Sequence, residues 1–402
     1  MKKTTINSFI MKDGERYCHV INKESGIPLF YPCLYITTIL RNNSTSITTI
    51  ELVGCAISML YDFLNKNGIN IEERILSREF LKLHEIDALS DYCFWRKKGN
   101  KVIQHDVKLN VYVDEKTKYF RLSKIASYLE WLCQMLIVSV KDELTAVRRF
   151  INDIKARRPN AKNFTLTDTR DRSLGKEEMD LILSVIKPSS PQNPFTAEVR
   201  QRNQIIILML YLLGIRSGEL LNIKVTDIDF SGSSLFVRRR ADDKSDPRVK
   251  QPLVKTAERT LPMPKYLSKI LYDYISIERR KFSKSKKHNY LLVNHKSGQN
   301  QGMPLSIVSY HKIISVLKSV SPDLYQLTGH RFRHTWNREL SEHFDTLSEP
   351  VSEVEQEKIR TRLMGWKKDS NTAQIYNKRF IEKKTQKIAI ELQESIIKGK
   401  NK

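Results

Sequence analysis

The stretch 326–336, with the sequence QLTGHRFRHTW, contains side chains suited to chemistry. In it His330 and Arg333 are three residues apart, and residues at this spacing share one face of a helix. We expect Thr328 to cap that helix, because its hydroxyl group can accept a backbone N–H from the first turn. A hydrogen-bonding imidazole beside a planar guanidinium suits the binding of a phosphate.

Two other interpretations of this stretch stay open on its residues alone. His330 and His334 are four residues apart, as in helical zinc sites, but those sites have Glu directly after the first His and here that residue is Arg331. Further arginines nearby, Arg333 and Arg338, would also repel a cation. A metal site is therefore disfavoured. The other alternative is a basic helix with a core histidine. The rest of the chain must decide between this alternative and a phosphate site.

The charge of the whole chain favours a polyanionic partner. The 402 residues include 69 Lys plus Arg against 45 Asp plus Glu, which gives a net charge of +24. Nucleic acid is the leading candidate, and a membrane surface is the alternative. No segment resembles a transmembrane span or a signal peptide, so we expect no membrane partner. A hydrophobic content of 40% allows a sizeable core and excludes wholesale disorder.

The five cysteines indicate a reducing compartment. They are Cys18, Cys33, Cys55, Cys93 and Cys133. None of them approaches CxxC spacing, so we expect reduced core residues of a cytoplasmic protein rather than disulfides or metal ligands.

The pattern along the chain predicts two domains. Residues 1–24 are polar and are expected to form a loosely attached N-terminal extension. Residues 25–160 are expected to form a small helical, basic domain, either DNA-binding or a scaffold without DNA contact. A basic, proline-containing stretch leads into the expected linker, residues 161–174. Residues 175–402 are expected to form the second domain.

Periodicity also predicts individual elements. In the first domain the predicted helices are Ser46–Lys66, Ser77–Arg96, Ser123–Val138 and Asp142–Ala156, with a short strand near Asn110. The second domain is expected to begin with a helix over 176–186 that Ser173 caps.

Arg216 follows an unusually apolar run. The run from Ile205 to Leu213 is too short to cross a bilayer, so it predicts a buried core helix, which Gly214 ends. Arg216 would then stand at the head of the next helix. It is either paired with Glu219 and Asp227 or held to face a ligand, and both can be true.

The next two segments, SSLFVRRR and VKTAERTLPMP, resemble strands of a small sheet. A charged stretch lies between them, and one lysine on such a hairpin could be catalytic. Periodicity alone does not rank the candidates. The neighbours Val254 and Thr256 favour a strand around Lys255, whereas Lys244 and Lys250 lie among Asp, Ser and Pro.

The C-terminal part has two features that bear on function. Trp366 begins a polar turn and Tyr376 follows it, although a lone tyrosine near a C-terminus is usually part of a core. The tail predicts an amphipathic helix whose apolar face suits its own core or a partner's groove. The residues of that face are Ile381, Ile388, Leu392 and Ile396.

The motifs GIRSGELLNI, VKTAERTLP, HRFRHTW and LMGWKKDSNTAQIY, in this order, resemble the catalytic domain of the tyrosine recombinases, the phage-integrase family. The resemblance extends from about Ser173 to the end of the chain. The helical domain before it is similar in position and pattern to the core-binding domain of that family. The fold this implies is mainly α with a small β-sheet in the catalytic domain, in a two-domain tyrosine-recombinase architecture.

The resemblance also implies the site residues and their roles. They are the nucleophile Tyr376, the two arginines Arg216 and Arg333, the histidine His330, the hairpin lysine Lys255, and Trp366. Many members have His where Trp366 stands. An indole can donate a hydrogen bond to a phosphate oxygen, but it cannot shuttle protons.

The activity implied is site-specific cleavage and rejoining of DNA through a 3′-phosphotyrosine link, without metal, cofactor or ATP. The partners implied are double-stranded DNA, three further copies of the chain in a homo-tetramer, and accessory DNA-bending or directionality proteins; the location is cytoplasmic, on DNA. Two alternatives stay open: a type IB topoisomerase, and a catalytically silent DNA-binding regulator with the same fold.

Overall fold

The computed structural model describes residues 3–95, 112–137, 141–160, 172–349, 351–366, 385–386 and 388–397. The chain divides into two compact units, Met1–Asp168 and Thr169–Lys402. Both consist mainly of helices, and the second contains a small three-stranded sheet. The predicted fold class is confirmed. The finer domain limits remain a prediction.

The first unit contains a two-stranded sheet and six α-helices among its described residues. These are β1 (Thr4–Ile10), β2 (Arg16–Asn22), α1 (Phe30–Tyr35), α2 (Ile47–Lys66), α3 (Ile71–Leu76), α4 (Leu83–Phe94), α5 (Glu115–Leu136) and α6 (Lys141–Ala156).

The N-terminal residues form an antiparallel hairpin, so the expectation of a loosely attached extension is wrong. The hairpin packs on α2, where Gly54 leaves room for the Ile6 side chain, 3.2 Å from where a Cβ would lie. The carboxylate of Asp62 accepts the backbone N–H of Thr4 at 2.9 Å and its hydroxyl at 3.0 Å. Thr4 and Ser8 point inward with Ile6. Because two of these three inward residues are polar, the sequence lacks the alternation of apolar and polar residues that marks a strand.

The helix boundaries differ from the predicted ones where local geometry intervenes. Ser77 ends α3, and Arg78 has a positive φ of 60°, so α4 begins only at Leu83. Helix α5 begins early, at Glu115, because Asp114 caps it by accepting the N–H of Thr117 at 2.6 Å. The strand expected near residue 110 lies mostly outside the described residues.

By length and composition, α2 is apolar enough to cross a membrane, and it is the one such helix in the part of the chain that the structure describes. Of its most apolar window, 67% is buried inside the protein. Its apolar side chains contact the hairpin and α5, as expected of a core helix.

The second unit contains seven α-helices in the range 172–366 and a three-stranded sheet. These are α7 (Lys176–Val185), α8 (Ala197–Leu213), α9 (Ser217–Asn222), β3 (Ile228–Asp229), β4 (Ser234–Val237), β5 (Arg259–Pro262), α10 (Lys265–Asp273), α11 (Ile307–Lys318), α12 (Gly329–Thr346) and α13 (Glu353–Met364).

The core of the second unit is built around α8, which is buried as predicted and packs against α12. Gly214 ends α8 with a φ of 58°, and Arg216 is the N-cap residue of α9. The prediction that Ser173 caps α7 is wrong. Gly175 is the N-cap residue, and the Ser173 hydroxyl instead accepts a hydrogen bond from Arg338 at 2.8 Å.

Strands β3, β4 and β5 form the antiparallel sheet in that order. Lys255 lies outside it, because β5 begins only at Arg259, so the strand predicted around Lys255 is wrong. The side chains of Val254 and Thr256 are buried, as the alternation suggested. The backbone of this segment, however, does not pair with the sheet. The N–H of Ala257 donates instead to the carbonyl oxygen of Gly365, just after α13, at 2.9 Å.

The hairpin contacts generate a prediction for Asp62→Ala. The substitution leaves the buried N–H of Thr4 without its acceptor, which typically costs about 1–3 kcal/mol, whereas the Thr4 hydroxyl keeps the carbonyl oxygen of Ser58 at 2.8 Å. We expect faster amide hydrogen exchange throughout β1 and β2, measured by mass spectrometry. Asp91→Ala, at an exposed position of α4, is the control and should leave the amide exchange of β1 and β2 unchanged. Unchanged protection of the hairpin in Asp62→Ala would contradict this account of its attachment.

Candidate active site

Arg333 lies buried on the first turns of α12, with 1% of its surface exposed. Its guanidinium donates to the carbonyl oxygens of Gly214 and Met364, each at 2.8 Å. These carbonyls belong to the C-terminal ends of α8 and α13, where the helix dipole favours a cation. Thr328 is the N-cap residue, as predicted, but its hydroxyl makes no capping hydrogen bond. The arginine therefore holds two helix ends together.

Trp366 lies against this arginine. The Arg333 guanidinium carbon is 5.6 Å from the Trp366 ring centroid, within the range of a cation–π contact. Trp366 is 7% exposed and forms a small apolar cluster with Met364. The position at which many family members have His is thus occupied by an aromatic ring that packs on a site arginine.

Glu219, in the first turn of α9, is the buried carboxylate of the site, with 1% exposure. It accepts hydrogen bonds from Arg259 at 2.8 Å and from the Thr256 hydroxyl at 2.6 Å. The Nη1 atom of Arg216 lies 3.7 Å from its Oε1 atom. Burial alone would raise the pKa of Glu219, but Arg259 and, further away, Arg333 hold it below its ordinary value.

The interpretation that a carboxylate pairs with Arg216 is confirmed for Glu219, and the interpretation that Arg216 faces a ligand stays a prediction. Its side chain pairs with Glu219 and is 29% exposed, although its Nη1 atom is buried. The expected pairing with Asp227 is wrong. That carboxylate instead binds Arg240, at 2.5 and 2.9 Å, and Arg238, at 3.4 Å.

His330 lies among cations. Burial by surrounding protein atoms and, after it, the charges of Arg333, Arg216 and Arg172 together lower the pKa of His330 to about 4, although the residue as a whole remains exposed. The imidazole is therefore neutral at pH 7 and able to accept a proton. Its ring stands edge-on to that of His334, with centroids 4.7 Å apart. Across the described ranges, no group of three or more His, Cys, Asp or Glu could hold a metal ion.

Lys255 is exposed and stands next to Thr256, which binds Glu219. Its backbone thus lies beside the carboxylate that pairs with Arg216. Tyr376 lies outside the described residues. The structure therefore brings together Arg216, Arg333, His330 and Trp366, with the Lys255 segment beside Arg216.

Sequence reasoning missed Arg259. Its side chain is 5% exposed and binds Glu219 at 2.8 Å, the Leu363 carbonyl at 2.7 Å and the Thr256 hydroxyl at 3.0 Å. It therefore links α9, the Lys255 segment and the end of α13. An arginine at the start of the segment predicted as a strand was the available signal.

Comparison with known proteins identifies the family of the chain. Residues 172–382 match the model of the Phage integrase family, which is more than half of the chain. The chain therefore belongs to the phage integrase family, the tyrosine recombinases, and the family predicted from the sequence is confirmed.

Relatives are found among mobile-element and Xer proteins. Transposase A from transposon Tn554 of Staphylococcus aureus is 22% identical over 324 residues, covering 78% of this chain and 80% of that protein. Tyrosine recombinase XerA of Thermococcus kodakarensis is 28% identical over 172 residues, covering 42% of this chain and 49% of that protein. A solved structure of the Tn1549 transposon integrase with transposon right end DNA is similar at a TM-score of 0.49 and 15% identity, covering 88% of this chain and 95% of that chain.

The buried carboxylate generates a prediction for Glu219→Gln. Removing the charge leaves the buried Arg259 guanidinium uncompensated, so we expect a loss of roughly 3 kcal/mol in the free energy of unfolding at neutral pH. The pKa of Glu219 is depressed in the folded state, so its contribution is present above the ordinary value of 4.5 and lost as pH falls through the lower folded value.

Urea unfolding of wild type and Glu219→Gln across pH checks this expectation. The difference in unfolding free energy should shrink as pH falls below 4.5. Glu177→Gln, at an exposed position of α7, is the matched control and should unfold like wild type. A difference that is small at pH 7, or constant down to acid pH, would rule out the proposed role of the charge.

Proposed function

We propose that the chain cleaves and rejoins DNA strands at defined sites with Tyr376 as the nucleophile. The observation that carries this proposal is the proximity of Arg216 and Arg333 to the neutral His330, in a member of the phage integrase family. The net charge of +24 supports DNA as the substrate.

The two arginines would stabilise the charge that builds on the phosphate. A DNA phosphodiester is anionic and resists attack, so donors held in place before the reaction lower the barrier. Arg333 is fixed by two carbonyl oxygens, and Arg216 is held by Glu219 with part of its side chain exposed. Preorganised donors of this kind contribute roughly 3–4 kcal/mol each.

The protons would move between two further groups. As the Tyr376 phenol attacks phosphorus, its proton passes to the imidazole of His330, which is unprotonated at neutral pH because its pKa is lowered. The bond from phosphorus to the 5′ oxygen breaks, and Lys255 gives that oxygen a proton. The products are a 3′-phosphotyrosine and a free 5′-hydroxyl. Attack by another 5′-hydroxyl reverses the steps and rejoins the strand.

Trp366 would take no part in proton transfer, because an indole N–H neither ionises nor accepts a proton at neutral pH. Its contact with Arg333 supports a role in holding that guanidinium and in donating one hydrogen bond to a phosphate oxygen. No step in this scheme calls for a metal or a cofactor.

The assembly we propose is a homo-tetramer on two DNA duplexes in the cytoplasm, with the first unit as a second DNA-binding domain and with accessory proteins on some sites. The described tail residues 388–397 are helical, and their large apolar side chains are exposed. They include Ile388, Leu392 and Ile396. Such a face supports docking on a neighbouring protomer.

Neither alternative is favoured. A type IB topoisomerase would relax plasmids without a defined sequence, and a silent regulator would form no covalent adduct. The match to the phage integrase family, together with filled positions for all the expected catalytic residues, supports an active recombinase.

Tyr376→Phe tests the nucleophile. Only the phenolic oxygen is lost, so the variant should bind DNA normally and form no covalent complex with a nicked suicide substrate. Wild type and the control Tyr266→Phe, an exposed tyrosine of α10, should form the complex even in excess EDTA. A covalent complex in Tyr376→Phe would assign the nucleophile elsewhere, and loss of the wild-type complex on chelation would contradict the metal-free scheme.

Lys255→Ala tests the general acid. Loss of the proton donor should slow cleavage by about a hundredfold or more. A substrate with sulfur at the leaving 5′ position should restore the rate, because a thiolate departs without a proton. Lys244 is an exposed lysine of the same loop, and Lys244→Ala should cleave both substrates at the wild-type rate. If Lys244→Ala is slow on oxygen and rescued on sulfur, the acid is Lys244.

Removing the exposed apolar face of the tail tests the assembly. The combined substitutions Ile388→Ser, Leu392→Ser and Ile396→Ser should leave single-site binding intact and impair the pairing of two sites, measured by gel mobility. Glu394→Ser, on the same helix, is the control. Unfolding of the triple variant would show instead that the helix belongs to the core of its own chain.

A further inference from the structure

We propose that Gly218 and Thr256 are positioning residues for Lys255: they dock the segment 253–256 onto the first turn of α9, the helix that Arg216 caps. The proposal rests on the proposed role of Lys255 as the proton donor. It explains how Lys255, which is exposed and lies in a loop rather than in a strand, is held beside Arg216.

The first contact is a close approach of two backbones. The carbonyl oxygen of Leu253 lies 2.5 Å from where a Cβ of Gly218 would stand, and its carbonyl carbon lies 3.4 Å away. Gly218 sits within a helix, so its backbone conformation would accept an alanine. Only the contact with Leu253 requires glycine here. The missing side chain thus lets the segment lie directly on α9.

The second contact lies on the other side of Lys255. The Thr256 hydroxyl donates to Glu219 at 2.6 Å, and Thr256 is 4% exposed. Val254 is also buried, at 7% exposure. Both neighbours of Lys255 therefore point inward, and the lysine side chain is directed outward from a backbone held at both sides.

The preceding part of the loop is anchored to the far end of the same helix. Arg248 is buried, pairs with Asp246 through two contacts of 2.8 Å, and donates to the carbonyl oxygens of Leu221 at 3.1 Å and Leu305 at 2.7 Å. Leu221 lies in the last turn of α9. The loop is thus fixed at both ends of α9, the helix that Arg216 caps.

This docking matters because proton transfer depends steeply on distance. A misplacement of about 1 Å at a reacting group can reduce the rate by roughly a hundredfold. Displacing the segment would move the Lys255 ammonium away from the leaving 5′ oxygen. The defect should then resemble that of Lys255→Ala, and differ from that of a damaged arginine.

The experiment compares Gly218→Ala and Thr256→Val in the full-length chain on oxygen and sulfur substrates, with single-turnover cleavage rates. On the oxygen substrate we expect both variants to be slower by about ten- to a hundredfold. On the sulfur substrate both should approach wild type. Thr256→Ser keeps the hydroxyl and should restore the oxygen rate, which separates positioning from a failure to fold. Gly175→Ala, where the nearest atom is 3.5 Å from the added Cβ, is the control.

Each contrary result has a distinct meaning. Wild-type rates on oxygen, or equal losses on both substrates, would overturn the proposal, since a displaced Arg216 or a damaged fold is not rescued by sulfur. If Lys255→Ala itself is not rescued on sulfur, Lys255 is not the proton donor, and both the general-acid assignment and this proposal fall. Rescue of Lys255→Ala together with unrescued docking variants would overturn the positioning role alone.

Discussion

The buried carboxylate of Glu219 is the constraint on which the site depends. A charge at 1% exposure is costly unless it is paired and fully hydrogen-bonded. Its partners come from separate parts of the chain: Arg216 at the head of α9, Thr256 in the loop, and Arg259 at the start of β5. Satisfying one buried charge therefore brings together the segments that carry the proposed phosphate-binding and proton-donating groups.

Arg333 is a buried charge of the opposite sign, and it too is stabilised by hydrogen-bond partners. Its buried guanidinium has carbonyl partners at the ends of α8 and α13, and Arg259 binds a further carbonyl, that of Leu363, beside the second of these ends. The end of α13 is therefore held by two arginines, and Trp366 follows it against the Arg333 guanidinium. A cation fixed in this way would need little reorganisation in the proposed binding of a phosphate, as electrostatic catalysis requires.

The features that local sequence determines were predictable. The apolar run of α8 followed by Gly214 led to a buried helix with Arg216 at the head of the next one, and the order of the motifs led to the family. The features that were missed depend on distant partners. Thr4 can be buried in β1 because Asp62 and Ser58 satisfy its polar groups, and Lys255 lies outside the sheet because the neighbouring backbone pairs with Gly365. Periodicity contains no information on such contacts.

The central claim is that Glu219 acts in cleavage through the arginine it holds. A double-mutant cycle of Glu219→Gln and Arg216→Ala, read as single-turnover cleavage rates, tests it most directly. Once Arg216 is absent, the account predicts that Glu219→Gln costs much less than it does in wild type, so the two losses are not additive. Fully additive losses would contradict the account, because they would mean that the carboxylate and the arginine act independently.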